Sequence, residues 1–164
     1  MKRGSTIFLR GVVVFIGIAV LALCIFGLPR FAVWFTQDAA AMTPIGSSLY
    51  YPILIWLYAP AIPFFWALYQ TLKLLGYIDR KAAFSILSVK ALRKIQYCAT
   101  AMSILYALGM PFVYFSAKVE DAPGLVLVGA AFACSPMVIA TFAAVLQRLL
   151  KEAIDIKSEN DSTI

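Results

Sequence analysis

The chain has 164 residues, 63% of them hydrophobic and 13% charged, with a net charge of +6. A soluble domain is about a quarter charged, and a chain this short cannot hide so much apolar surface in one aqueous core, so composition excludes an ordinary soluble globule and makes lipid the solvent. The absence of histidine also excludes histidine-held haem or zinc and histidine-dependent nucleophilic catalysis.

The first uncharged run, "GVVVFIGIAVLALCIFGL", covers Gly11 to Leu28. It is longer than the hydrophobic region of a cleaved signal, about 7–15 residues, and reads as a retained helix. Beyond it, Pro29 to Gly46 is a mixed connection, with a short interfacial helix expected around "RFAVWF". The second run, Ser48 to Leu72, contains Pro52, Pro60 and Pro63. Prolines that would break a soluble helix are tolerated in lipid as kinks, so "APAIP" predicts a bend. The third run, Ile95 to Ala117, carries "GMP" near its outer end and predicts another. "KVED", Lys118 to Asp121, is a tight turn into the fourth run, Ala122 to Gln147. In that run Gly129 and Ala133 stand four apart, as do Ala140 and Ala144, a spacing that permits close helix contact in membranes. Cys24, Cys98 and Cys134 lie in apolar runs, form no C-x-x-C pair and read as small buried hydrophobes.

Basic residues sort the connections. The N-terminus, the middle connection and the C-terminal tail hold twelve of them; the other two connections hold Arg30 and Lys118. The positive-inside rule then places both termini and the middle connection in the cytoplasm. Tyr69, Tyr77 and Tyr97 mark the inner interface, and Trp34, Tyr50 and Tyr51 the outer one. The predicted fold class is all-α: an integral membrane four-helix bundle with helical cytosolic extensions of spans 3 and 4. It forms one domain over 1–164, with spans about 9–28, 48–72, 95–117 and 122–147 and a cytosolic helical tail over 148–157.

Those extensions hold the candidate site. In "KAAFSILSVKALRKI", Phe84, Leu87, Ala91, Leu92 and Ile95 share one helical face, and Lys90, Arg93 and Lys94 cover another. Ser85 is the expected N-cap of a helix that enters the third span unbroken. In "LQRLLKEAIDIK", Leu146, Leu149, Leu150 and Ala153 form an apolar stripe opposite Arg148, Lys151, Glu152 and Asp155. The two extensions are expected to pack as a collar, with Leu87 near Leu150. Lys90, Arg93, Lys94, Glu152 and Asp155 are candidate contacts for a partner or for lipid headgroups. Gly129, Ala133, Ala140 and Ala144 are candidate helix-packing positions.

"FSILSVKALRKIQYCA" after a basic loop and "VLQRLLKEAIDIKSENDSTI" at the C-terminus resemble the YoaS-like family of small four-span bacterial membrane proteins, a domain of unknown function. Phe84, Ser85, Val89, Lys90, Leu92, Arg93 and Ile95 match the family's Phe-Ser start and a run like "ENVKxLRxI", with Leu87 and Ser88 in place of Glu-Asn. Glu159, Asn160, Asp161 and Thr163 match its "LKEENDLTV"-like end, with Ser162 in place of leucine. The resemblance covers nearly the whole chain and implies a bacterial cytoplasmic membrane and no known enzyme activity. It also implies a frequent genomic neighbour, a small helix-turn-helix regulator, as a cytosolic partner in a regulatory or stress-response setting.

Among function classes, catalysis needs convergent titratable groups, and no Asp, Glu, Lys or Arg falls within the four apolar runs. The same absence removes the usual mark of an ion pathway. The reading is therefore a non-enzymatic interaction, sensing or accessory protein with a cytosolic docking face, needing no cofactor or metal. The alternative is a small transporter or exporter of a neutral, lipid-like or peptide ligand. Membrane lipids are partners in either case. Direct nucleic-acid binding is not expected, because the bases are spread over three segments beside the bilayer. Sensing, immunity and transport differ in partners rather than residue chemistry, and the residues specify neither the partner nor the oligomeric state.

Overall fold

The computed structural model describes residues 3–33, 50–80, 84–119 and 121–162, and every regular element among them is helical. Helix α1 is Arg3–Ala22, followed by a π segment, Leu23–Gly27, and further helix to residue 33. Next come α2 (Tyr50–Tyr58), α3 (Ala61–Asp79), α4 (Ile86–Val119) and α5 (Gly124–Ser162). Among the described residues, four helical stretches are long and apolar enough to cross a membrane, with α2 and α3 together forming one of them. Their outward faces are apolar: Phe15 is 72% exposed and Leu127 75%. Surface of that kind belongs against acyl chains. The helix continues through the π segment and past Leu28 to residue 33, so the start of "RFAVWF" extends it instead of forming a separate interfacial helix. The remainder of that connection, including Trp34, lies outside the described residues.

The π segment has a local cause. Pro29 has no N–H and its ring crowds the preceding turn. The Leu28 N–H bonds the Leu23 carbonyl, five residues back, so the Cys24 carbonyl receives no donor from the next turn. The Tyr58 hydroxyl, from α2, donates to that carbonyl at 2.6 Å. Proline also shapes the second span. It breaks at Ala59 and Pro60, between α2 and α3, where Pro60 and Pro63 withhold the donors that would continue the ladder. By contrast, α4 runs unbroken through Pro111. What Gly109 supplies there is room. The Trp56 ring lies where a Cβ at 109 would stand, and its Nε1–H donates to the Leu105 carbonyl at 3.0 Å.

The α4–α5 hairpin makes the most extensive helix contact, followed by α3–α4 and α1–α3. Its turn ends α4 with Asp121 at φ 50°, in the left-handed region, and the Ala122 N–H bonds the Ala117 carbonyl at 3.0 Å. That bond pattern closes a helix C-terminus and reverses the chain in few residues. Along the hairpin, a cluster of Ala99, Met102 and Ala140 is packed by Phe64 and Tyr106. Ser103 donates to the Ala133 carbonyl at 2.7 Å, and Gly129 faces Val113 and Met110. Ala140 and Ala143 are buried, with Ala144 half-buried beside them. Small side chains let the backbones approach, which in lipid substitutes for a hydrophobic driving force.

At the basic end of the bundle, Arg10 of α1 pairs with Asp79 of α3 at 3.2 Å. The pair is partly exposed, so Asp79→Asn is expected to cost no more than about 1 kcal/mol of unfolding free energy. Thermal melting in detergent checks this; a larger loss would mean that the pair holds α1 in place. α5 has 39 residues, roughly 60 Å at about 1.5 Å per residue and twice the thickness of a hydrocarbon core. It therefore projects well beyond the membrane and stays helical to Ser162, past the Lys157 expected from the sequence.

Candidate functional site

The start of α4 carries the site because its helical rows face different neighbours. Ser85 caps the helix: the Ser88 N–H approaches its Oγ at 3.4 Å and bonds its carbonyl at 3.0 Å. One row, with Ser88, Leu92, Ala99 and Met102, is buried. Another, with Leu87, Lys90, Ala91, Lys94 and Tyr97, lines a groove between α4 and α3, joined by Arg93. From α3 the wall is Gln70, Lys73 and Tyr77, spaced i, i+3, i+7 on one face. The groove encloses about 460 Å³, and no carboxylate lines it.

The arrangement sorts the predicted site residues into two places. Lys90, Arg93 and Lys94 come together, and Lys73 joins them from the facing helix. Glu152 and Asp155 lie elsewhere, exposed on α5, with Glu152 accepting from Arg148 one turn back at 3.3 Å. Leu87, expected opposite Leu150, lines the α3 groove at 52% exposure. Residues 88 and 92 are buried instead, because a rotation of about 100° per residue turns 87 away from them. The tail stripe divides as well: Leu150 and Ala153 are half-buried, whereas Leu146 and Leu149 are exposed.

In residue order Lys73 is one of the twelve topological bases and Tyr77 and Tyr97 are interface aromatics, and nothing local places Gln70 at this site. The signal for grouping them was a shared pattern. Gln70, Lys73 and Tyr77 repeat the spacing of Lys90, Lys94 and Tyr97 to within one position, each a base followed one turn later by tyrosine. Lys73 also lies 5.8 Å from the centre of the Tyr69 ring. Four cations, two phenols and an amide supply hydrogen-bond donors and positive charge, a set suited to an anion. Among the described residues, no three Cys, Asp or Glu side chains gather as a metal ion would require. Nothing in the groove indicates catalysis.

The family described as "Protein of unknown function (DUF2975)" matches residues 34–164. The chain belongs to the DUF2975 family. The matched segment takes in α2 to α5, and with them both walls of the groove and the tail. Along its full length this DUF2975 protein is 54% identical to the uncharacterized membrane protein YoaS of Bacillus subtilis (strain 168), all of which it covers. No solved structure matches it. With four helices able to span a bilayer, it is a membrane protein.

Proposed function

We propose that this is a non-enzymatic interaction protein of a bacterial cytoplasmic membrane, acting as a sensor or accessory subunit. Its basic end, with both termini, faces the cytoplasm, as the twelve-to-two distribution of bases predicts. The observation that carries the reading is the convergence of Lys90, Arg93 and Lys94 with Lys73 on one groove, beside a helix that projects beyond the bilayer. Together these support a cationic docking face, and the tail of α5 adds an exposed surface of its own, with Ile156 66% exposed. A cytosolic helix-turn-helix regulator is the partner class implied by the family resemblance.

The test is a crosslinking pull-down from native membranes. The wild type is compared with a variant carrying Lys90→Gln, Arg93→Gln and Lys94→Gln, after equal insertion is verified. A protein recovered in near-stoichiometric amount with wild type, and at least tenfold depleted with the variant, is the expected result. The same proteins in the same amounts from both would overturn the docking face.

A further inference from the structure

We infer that the groove between α3 and α4 is a headgroup site for an anionic phospholipid, of the class that carries two phosphodiesters. The inference concerns the same groove as the proposed docking face but needs no protein partner. Lys73, Lys90, Arg93 and Lys94 line one groove with no carboxylate among its walls. Like charges gathered in this way repel one another, and an anion between them relieves the repulsion. Four cations exceed what one phosphodiester requires and suit two. Tyr77 and Tyr97 add hydroxyl donors. Gln70 also lines the groove, and its amide offers both a donor and an acceptor there.

Depth selects a lipid over a soluble phosphate. Gln70 and Tyr97 lie inside the uncharged runs of the second and third spans, whereas Lys73, Lys90, Arg93 and Lys94 lie just outside them. The groove therefore straddles the level at which headgroups meet acyl chains. Farther along the same two helices, Trp66 and Ile104 are exposed and apolar, and acyl chains can lie against them. Basic pockets between membrane helices are a recurrent means of holding such headgroups.

Native mass spectrometry of the purified full chain in detergent tests this, with no other protein present. The probes are cardiolipin, phosphatidylglycerol, phosphatidylethanolamine and inorganic pyrophosphate. One cardiolipin per chain, held at least tenfold tighter than phosphatidylethanolamine, is expected. Lys73→Gln with Arg93→Gln should weaken cardiolipin about 30-fold and Lys73→Gln alone about fivefold, at about 1 kcal/mol for each base removed. Lys151→Gln with Lys157→Gln, on the tail, should leave it unchanged. The charge-preserving pair Lys73→Arg and Arg93→Lys should retain binding, which separates lost charge from lost folding. Equal retention of zwitterionic and anionic lipid, unchanged binding in Lys73→Gln, or displacement of the lipid by pyrophosphate would each overturn the inference. Because the assay contains only protein and lipid, its failure leaves the partner pull-down to be judged separately.

Discussion

Gly109→Ala should be among the most damaging single substitutions in the bundle. Its Cβ would fall within the Trp56 indole, a rigid ring that cannot yield as a flexible aliphatic tip would. Either α2 moves away from α4, or the ring leaves and the Nε1–H bond to the Leu105 carbonyl is lost. Overpacking costs about 1–3 kcal/mol and the lost hydrogen bond about 1 more, so a loss of roughly 2–4 kcal/mol is expected. Gly17 makes a useful contrast. A Cβ there would meet the Leu68 Cδ2 at 2.6 Å, the end of a flexible side chain, so Gly17→Ala should cost less. Reversible unfolding in mixed micelles measures both. Combining Gly109→Ala with Trp56→Ala should recover part of the loss, because the ring that is struck is gone. Full additivity of the two changes would show that position 109 and the indole do not compete for space.

Tyr58→Phe should cost about 1–3 kcal/mol, the penalty for a buried acceptor left without a partner. The phenol donates to the Cys24 carbonyl, which the π turn leaves open and Pro29 has no proton to fill. The partnership of Tyr58 with Pro29 is itself testable. Pro29→Ala restores a backbone N–H and allows the turn to relax to regular α-helix, in which the Leu28 N–H reaches the Cys24 carbonyl. Tyr58→Phe should therefore be far milder in a Pro29→Ala background than in the wild type. An equal cost in both backgrounds would show that the hydroxyl does not serve the carbonyl orphaned by proline.

Much of this protein was legible from residue order, because the deciding forces act between near neighbours. Runs without charge identified the spans, "APAIP" the break near Pro60, Ser85 the cap of α4, and "KVED" the neighbourhood of the reversal before α5, although α4 takes in its Lys118 and Val119. Each depends on a proline, a cap or a stretch of apolar residues within a turn or two of itself. The clustering of bases at one end was equally plain, and with it Lys90, Arg93 and Lys94. Residue order did not reveal which helical faces meet. The Trp56 ring finds Gly109 and the Tyr58 hydroxyl finds the Cys24 carbonyl across 49 and 34 residues of chain for their respective hydrogen bonds. Similarly, periodicity placed Leu87 on an apolar face but not beside α3, and it left Lys73 a solitary charge. Only the packed structure brings Lys73 and Gln70 opposite Lys90, Arg93 and Lys94, because a helix repeats its faces locally whereas the choice of neighbour depends on the shapes of distant side chains.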